Sequence, residues 1–474
     1  MRRRWWIMAG FLAILSSWSY FFPKQPRLGP LARLDAAPQG TVVFVPHSDD
    51  EVVAAGGLLA QLEAQGAEPR VVLATGGDGF KVGAEIFHRG RVPPERMLAY
   101  GRHRLGESQA ALARLGLPAD RLTFLGFPDQ GLHRLWVECW QVDQPCTSPT
   151  TQVSRVPYAE ALHNGAPYAG RELLGEIIQI LRETRPAVVV YPHPNEAHVD
   201  HWALSNFVSA ALEELRRTEP DWAPPAEWLY LVHRGDWPTP KGHLPTRSLL
   251  PPAALAEGMT VWHENPLTPE QVELKEEALK AYRSQTMLMS RYLQSFIRAN
   301  ELFGTIDRIK LTGGAEPYPS HTDEKPPWRD LNWAQVITDP RADTVAREVE
   351  RGADVIGVWA VRDGGTLSLA APMAARPRRP VEIRFYIRAF RSGQGWDDLA
   401  GISVLPDGTR RVEQWPAGAG QAEIRVEVQG NWVRLNLPLS AMGDPQAVMI
   451  NVETRADDVL VDRTAWRPVS LDGR

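Results

Sequence analysis

The chain has 474 residues, of which 43% are hydrophobic and 23% charged, the composition of a globular protein too long for one ordinary domain. Its formal net charge of −5 excludes a strongly basic protein of the kind that binds nucleic acid through overall charge, so we expect no nucleic-acid partner. No repeat of fixed period occurs, which excludes a solenoid or another repeat architecture.

The amino terminus has the pattern of a membrane-targeting segment. Arg2–Arg4 precede an apolar run, Trp5–Phe22, that only serines interrupt. A basic start followed by an apolar run predicts a secretory signal or an uncleaved anchor. No small-x-small cleavage site follows directly, so residues 1–22 are predicted as an anchor in preference to a cleaved signal. Positive charge before the run leaves the rest of the chain outside the cytoplasm, membrane-anchored or secreted.

After a linker at residues 23–39, strands and helices alternate through residues 40–310. The predicted strands are short apolar runs: Thr41–Val45, Arg70–Thr75, Arg121–Leu125, Ala187–Tyr191 and Trp228–His233. The predicted helices are longer and amphipathic: Val52–Gln65, Pro94–Leu115, Arg171–Glu183, His201–Arg216 and Pro269–Phe303, the last with a break near Ser284. This alternation predicts an α/β domain, a Rossmann-like and mostly parallel sheet with helices on both faces.

Residues 132–170 show no sustained period, so we expect a functional loop that forms an active-site wall or lid, or else a mobile segment. Both cysteines of the chain, Cys139 and Cys146, lie in it. They form a disulfide if the compartment is oxidising, and free thiols are an equal alternative. Two cysteines alone make a poor zinc site.

A Gly-, Pro- and Ser-rich stretch marks a second linker at residues 311–327. Beyond it, residues 328–474 contain segments of period 2 separated by turn signals such as Asp407-Gly408. These segments are Val355–Val361, Val381–Phe390, Ile402–Leu405, Ala422–Val428, Trp432–Leu437 and Val448–Thr454. The pattern predicts an all-β sandwich.

Two clusters of imidazole and carboxylate follow predicted strands of the first domain. His47-Ser48-Asp49-Asp50-Glu51 follows Thr41–Val45, and His193–His201, which includes three histidines, follows Ala187–Tyr191. In an open α/β sheet, ligands bind just beyond the carboxyl ends of the strands. A solvated acidic turn with an Asp or Ser cap would explain the first cluster alone, but two matched clusters favour a metal site.

The residue types fit catalytic zinc, which takes three His, Asp or Glu ligands and keeps one position open for water. Water bound there has a pKa near ~7, so it becomes a nucleophile at neutral pH. A carboxylate beside it can accept the proton, and a cationic or hydrogen-bonding group can stabilise the oxyanion. The two clusters together contain all of these parts.

The chain resembles the PIG-L/LmbE family of zinc-dependent N-acetylglucosaminyl deacetylases. The family signature Pro-His-Pro-Asp-Asp-Glu appears as Pro46–Glu51, with Ser48 in place of the second proline, and His-x-Asp-His appears as His198–His201. Further family features include Arg104-x-x-Glu107 and Phe127-Pro128-Asp129. The resemblance covers roughly residues 40–310.

The resemblance implies roles for six residues. His47, Asp50 and His201 would bind Zn²⁺ or another divalent metal. Asp49 would be the general base, His198 would polarise or protonate the tetrahedral intermediate, and Asp200 would orient a histidine. His193 is expected to be structural or a pocket wall, because a fourth ligand would displace the water. Glu196 stands where many members have Asp, which leaves its role open.

Four arginines lie just before or within the predicted helix Pro94–Leu115, and they include either a substrate contact or only a solvated helix face: Arg89, Arg91, Arg102 and Arg104. The carboxy-terminal region weakly resembles the sugar-binding sandwiches of the family 9 carbohydrate-binding module and DOMON type, through features such as Asp330-x-x-Trp333. Trp396 and Trp415 would stack on a sugar ring there or would be packing residues. A structural cap on the first domain is the alternative for the whole sandwich.

We therefore expect an extracytoplasmic metal-dependent N-deacetylase. Its substrate would be an N-acetylated amino sugar of the N-acetylglucosamine type, in a polymeric glycan or a glycolipid, and the membrane would be contacted through residues 1–22. Two alternatives remain. One is a deacetylase of a small thiol-pathway glycoside of the mycothiol or bacillithiol type, a cytoplasmic pathway. The other is a non-catalytic carbohydrate-binding surface protein, against which the retention of Asp49 argues.

Overall fold

The structure is a computed structural model that describes residues 31–34, 40–235, 237–256, 258–311, 325–328, 331–341, 351–378, 380–416 and 423–472. The predicted anchor at residues 1–22 and most of the linker at residues 311–327 lie outside these ranges. Within the described ranges, no helix is both long and apolar enough to cross a membrane.

The first domain is built on one eight-stranded sheet. Its strands are β1 (Ala32–Arg33), β2 (Thr41–Val45), β3 (Arg70–Thr75), β4 (Leu122–Phe127), β5 (Val188–Pro192), β6 (Ala226–Tyr230), β7 (Thr260–Pro266) and β8 (Asn300–Ile306). They lie in the order β1-β7-β8-β6-β5-β2-β3-β4. Strands β2 to β6 pair in parallel, β1 pairs in parallel with β7, and β8 is antiparallel to both its neighbours.

Helices cover both faces of this sheet. They are α1 (Asp50–Ala64), α2 (Lys81–Phe87), α3 (Pro94–Arg114), α4 (Leu132–Val137), α5 (Gly170–Thr184), α6 (Val199–Thr218), α7 (Pro269–Leu279) and α8 (Arg283–Leu293). Alternate residues of β2 point to opposite faces: Val43 and Val45 pack with α1, α3 and α7, whereas Val42 and Phe44 pack with α4, α5 and α6. A strand buried on both faces must be continuously apolar, as β2 is. The predicted fold class is confirmed.

The predicted helix at Pro269–Phe303 is only partly correct. It is divided into α7 and α8, and its last residues form β8 instead. Strand β8 carries polar residues that the fold buries in pairs: Glu301 contacts the Lys275 ammonium at 2.7 Å. A strand whose inward residues are charged and paired has no apolar alternation, so its sequence does not reveal its period.

The second domain is the predicted sandwich. One sheet contains β10 (Ala334–Thr338), β11 (Gly357–Asp363), β12 (Thr366–Pro372), β16 (Arg425–Gln429) and β17 (Trp432–Pro438). The other contains β9 (Ile309–Lys310), β13 (Val381–Arg391), β14 (Gly395–Val404), β15 (Arg410–Gln414), β18 (Ala447–Ala456), β19 (Val459–Arg463) and β20 (Arg467–Ser470). Inward-facing aliphatic residues of both sheets, such as Val358, Leu369 and Ile383, form one core.

The two domains share a hydrophobic cluster. Trp136 of α4 packs edge-to-face against Trp466 of the sandwich, with ring centroids 5.6 Å apart. The buried Arg388 of β13 lies over the rings of Trp136 and Trp140 and donates a hydrogen bond to the Trp136 carbonyl. Trp396 belongs to this cluster, since it is 1% exposed and its Nε1 donates to the Ala210 carbonyl. For Trp396, therefore, packing is the correct alternative and sugar stacking is wrong.

The segment between α4 and α5 is folded back on itself. Cys139 and Cys146 form a disulfide in it, which answers the question that the sequence left open. The amide of Cys146 donates to the carbonyl of Tyr168, and the Trp140 indole donates to the carbonyl of Trp396 in the sandwich. The segment thus fills space between the first domain and the sandwich.

Candidate metal centre

The strand order places the two polar clusters side by side. β2 has β3 on one side and β5 on the other, so the chain changes direction in the sheet between β2 and β5. Crevices at such a point are the usual ligand sites of open α/β sheets. His47 and Asp50 follow β2, and His198 and His201 follow β5. The crevice between these strand ends is therefore the candidate site.

His47, Asp50 and His201 converge there. The Oδ2 atom of Asp50 lies 3.0 Å from Nε2 of His201 and 3.3 Å from Nδ1 of His47. All three side chains are buried. The structure brings together the three residues that the family resemblance predicts as metal ligands.

A fourth residue, His233, joins this group. Its Nε2 atom lies 3.7 Å from Oδ1 of Asp50, and the four residues offer ligand atoms that all lie within 4.8 Å of one another. The sequence reasoning missed His233 because it assigned the residue to a strand. Strand β6 ends at Tyr230, so His233 follows a strand end at the same edge of the sheet, and that position was the available signal.

Further carboxylates contact the second ring nitrogen of each histidine that is predicted as a metal ligand. Nε2 of His47 lies 3.2 Å from Asp129 and 3.2 Å from Asp200, and Nδ1 of His201 lies 3.4 Å from Glu196. Partners of this kind fix the ring orientation of metal-binding histidines. Asp200 thus lies where it can orient His47, and Asp129 and Glu196 are positioning residues that the sequence reasoning did not assign.

Backbone amides hold these carboxylates in turn. Asp200 accepts hydrogen bonds from the amides of Gln130 at 2.5 Å and Leu132 at 3.0 Å. Glu196 accepts from the amides of Val232 at 2.6 Å and His233 at 2.8 Å. The loops after β4 and β6 therefore fix the residues that contact the predicted ligands.

The charges of the site are strongly coupled. Burial lowers the pKa of His47, but the neighbouring carboxylates, Asp129 first, more than offset this and raise it well above its usual value. Burial raises the pKa of Asp50, but the surrounding histidines, His201 first, hold it well below its usual range. Burial also lowers the pKa of His201, yet Asp50 and Glu196 together raise it to about 9. The site accumulates negative charge that a cation would balance.

The carboxylate of Asp49 contacts a buried arginine. Asp49 adopts a φ of 108° at the start of α1, and its carboxylate lies 3.7 Å from the buried guanidinium of Arg104. Such a φ is rare for a residue with a side chain and is found mainly at functional sites. Burial raises the pKa of Asp49 well above its usual value, although Arg104 opposes this. Arg104 also donates hydrogen bonds to the carbonyls of Ser48 and Gly77, so it is a positioning residue and not part of a solvated helix face.

His198 has a defined tautomer. Its Nδ1 atom accepts a hydrogen bond from the amide of Asp200, so the proton of the neutral ring is on Nε2. Burial, together with the neighbouring histidines, lowers the pKa of His198. A neutral imidazole with a free N–H is a suitable hydrogen-bond donor to a carbonyl oxygen.

His193 is placed as a structural residue. Its ring stacks on Trp262 at 5.4 Å between centroids, and its Nε2 contacts the hydroxyl of Thr260 at 2.9 Å. Burial lowers the pKa of His193 to about 3, so the ring is neutral. Within the described ranges, His193 is not part of either histidine group that could hold a metal.

The residues present fit a divalent metal such as zinc. Both ring nitrogens of His201 are buried, and neither has a hydrogen-bond partner of good geometry in the described part of the chain. Nitrogen and carboxylate donors in this combination are the ligands of catalytic zinc. His47, Asp50 and His201 would hold the metal.

Comparison with known proteins agrees with this geometry. The family model described as "PIG-L: GlcNAc-PI de-N-acetylase" matches residues 42–212, which contain both polar clusters. These residues form a PIG-L family domain. The resemblance predicted from the signatures is confirmed.

Curated relatives match about a third of the chain, 35% of it in the case of the mycobacterial relative. The 1D-myo-inositol 2-acetamido-2-deoxy-alpha-D-glucopyranoside deacetylase of Mycobacterium sp. (strain KMS) is 32% identical over 169 residues, 35% of this chain and 48% of the relative. The chain thus spans about half the length, 48%, of the curated relatives it first matches.

Two solved structures show weaker similarity. The N,N'-diacetylchitobiose deacetylase of Pyrococcus horikoshii is 18% identical, with 56% of this chain and 82% of that chain covered at a TM-score of 0.35. A family 9 carbohydrate-binding module of Caldicellulosiruptor kristjanssonii is 12% identical, with 35% and 97% covered at a TM-score of 0.21. TM-scores of this size support no conclusion about function.

Proposed function

We propose that the protein is a metal-dependent hydrolase that removes acetyl groups from N-acetylglucosamine-type amino sugars in a glycan or glycolipid, with zinc as the simplest metal. One observation carries the proposal: His47, Asp50 and His201 converge, and the ring of His198 lies 4.7 Å from that of His47. The description of the family and the name of the mycobacterial relative support it, since both specify removal of an acetyl group from an amino sugar.

The residues divide the chemistry between them. His47, Asp50 and His201 would hold a divalent metal, which would supply a Lewis acid for the amide carbonyl and would activate water at neutral pH. Asp49, which lies 3.7 Å from Arg104, accepts a proton from the attacking water. His198 donates a hydrogen bond from Nε2 to the carbonyl oxygen. The water oxygen bonds to the carbonyl carbon, the amide C–N bond breaks, the nitrogen takes up the proton that Asp49 accepted, and acetate and the free amine leave.

Acetate release is the direct test of this function. The purified protein is assayed on N-acetylated cell-wall, exopolysaccharide and glycolipid substrates, before and after chelation and again after zinc is added back. We expect activity that chelation removes and zinc restores, together with about one divalent metal per chain. His201→Ala should lose most of the metal. Full activity in the metal-free protein would contradict the proposal.

A location outside the cytoplasm belongs to the same proposal. The Cys139–Cys146 disulfide supports it, because disulfides persist in oxidising compartments. The predicted anchor at residues 1–22 supports it as well. A reporter that is active only outside the cytoplasm, fused after Phe22, should be active. Activity solely in the cytoplasmic format would place the catalytic domain inside.

A small-glycoside deacetylase is the second candidate. The relative's name favours it, since it specifies a single 2-acetamido-2-deoxy-glucopyranoside linked to inositol. The same acetate assay separates the two candidates when the substrate panel includes a soluble monosaccharide glycoside. Sugar binding by the sandwich stays a prediction.

A further inference from the structure

His233 differs from the predicted ligands in its surroundings. Its side chain is 30% exposed, whereas those of His47 and His201 are 8% and 0% exposed. Within the described part of the chain, its one carboxylate contact is Asp50, at Nε2, whereas His47 and His201 each contact a further carboxylate through their second ring nitrogen, at 3.2 and 3.4 Å. Metal-binding histidines almost always have such a partner. His233 therefore lies at the centre without the support that a ligand receives.

The ring of His233 is nonetheless held in a fixed place. Its backbone amide donates to Glu196 at 2.8 Å, and its ring stacks on Tyr292 at 6.0 Å between centroids. The Tyr292 hydroxyl donates to the carbonyl of Val232, which fixes the partner ring as well. The His233 ring is therefore partly exposed and fixed in position, as a side chain that contacts a substrate from solvent would be.

His233 also stands beside His198. The two ring centroids are 5.1 Å apart, and His233 contacts the ring of His201 edge-on at 4.5 Å. The Nε2 atom of His233 lies 3.7 Å from Asp50, and its side chain is 30% exposed. Both rings are partly exposed, so a substrate that enters from solvent can contact this pair of imidazoles.

We propose that His233 is a substrate-contacting residue, a second imidazole that hydrogen-bonds the acetamido group beside His198, and not a fourth metal ligand. The inference rests on the proposed function and assigns a further residue to that site. A fourth protein ligand would close the metal site, and structural zinc sites are closed in this way. With His233 as a substrate contact, one position stays open for the reaction.

Two variants separate the two roles. His233→Ala removes the imidazole, and His233→Gln keeps a hydrogen-bonding group at a similar distance but is a poor zinc ligand. Zinc affinity is measured by competition with a chelator, and kcat and KM are measured for acetate release. His243→Ala, at an exposed histidine that contacts Glu276, is the matched control.

We expect His233→Ala to lower kcat/KM by about 10²-fold, the size of a lost transition-state hydrogen bond. Zinc affinity should change by less than about 3-fold, because His233 neither binds the metal nor supports a ligand in this proposal. Removal of a residue that supports a ligand typically lowers metal affinity by 10–100-fold. His233→Gln should recover part of kcat/KM with zinc affinity unchanged. A loss of zinc affinity of 10-fold or more in both variants would overturn the inference.

Wild-type activity that persists unchanged in His233→Ala would also overturn the inference, while the proposed function would stand. A wild-type protein that binds zinc but releases no acetate from any substrate in the panel would overturn the proposed function and this inference together.

Discussion

At the scale of single residues, the site depends on one turn that sends adjacent carboxylates in different directions. Asp49 takes a φ of 108°, and its amide donates to the buried Glu51. Glu51 is in turn held by the hydroxyl of Tyr282 at 2.7 Å. Because Glu51 and Tyr282 hold this turn, Asp50 faces the histidines while Asp49 faces Arg104.

The first prediction uses this separation. Asp49→Asn keeps the size of the side chain but cannot accept a full proton. Since general base catalysis is worth roughly 10²–10⁴-fold, deacetylation should fall by about that factor while the metal content stays unchanged. The measurement is kcat for acetate release beside metal analysis. Asp50→Asn is the control and should lower both quantities; loss of metal in Asp49→Asn alone would mean that the two roles are exchanged.

A second residue-scale prediction concerns Glu176 of α5, outside the site. It is 2% exposed, neither of its carboxylate oxygens has a hydrogen-bond partner in the described ranges, and His163 lies 3.3 Å away. Burial, helped by the charge of Glu172, raises the pKa of Glu176 to about 8 from its ordinary 4.5. Between these values the folded protein keeps a proton that the unfolded chain loses. Stability should therefore fall as the pH rises from 4.5 to about 8.

Glu176→Gln removes this titration. The variant should be more stable than the wild type at pH 9, by about 1 kcal/mol or more, because burying an unpaired charge is costly. At pH 5 the gain should shrink or vanish. Thermal unfolding at both pH values measures this, with the exposed Glu183→Gln on the same helix as the control. An identical difference at both pH values would show that Glu176 does not titrate in this range.

At the scale of elements, the sequence predicted the site residues that belong to a recognisable local run or signature. The apolar run of β2 and the paired signatures revealed His47, Asp50 and His201. His233 was missed because its apolar neighbours Leu231 and Val232 extend the pattern of β6 beyond its last residue, Tyr230. Asp129 could not be recognised from its own context, since it meets His47 only through the pairing of strands distant in sequence.

The sandwich touches the segment that carries the second cluster. The guanidinium of Arg463, at the end of β19, lies 4.6 Å over the ring of Trp202 and donates to the carbonyl of Ala197 at 3.3 Å. Ala197 directly precedes His198, and Trp202 directly follows His201. Arg463 thus contacts both ends of the segment and acts on the site through it.

Arg463→Ala should lower kcat by about 10-fold without changing KM or metal content, because small displacements of catalytic groups are costly even when binding is kept. Arg463→Lys keeps the positive charge and should recover part of kcat. Steady-state kinetics with metal analysis provide the measurement, and the exposed Arg411→Ala on β15 serves as the control. Equal kcat values for Arg463→Ala and Arg411→Ala would show that the contact does not position His198.

At the scale of the whole molecule, the sandwich is joined to the PIG-L domain through a hydrophobic core. Phe390, Trp396 and Met449 of the sandwich lie in one buried cluster with Phe207 and Trp136 of the first domain. Domains that fold independently usually meet at smaller and more polar interfaces. The sequence could not show this, because Trp136 and Trp466 are 330 positions apart and each is an ordinary apolar residue in its local context.

The shared cluster predicts that the two domains unfold together. Calorimetry of the intact protein should give one transition, and Leu59→Ala in the first core and Ile383→Ala in the sandwich core should both lower its Tm. Trp466→Ala removes the ring that packs on Trp136 and Trp202, so it should split or broaden the transition into two. Two transitions in the wild type, each shifted by only one of the first two substitutions, would show that the cluster does not couple the domains.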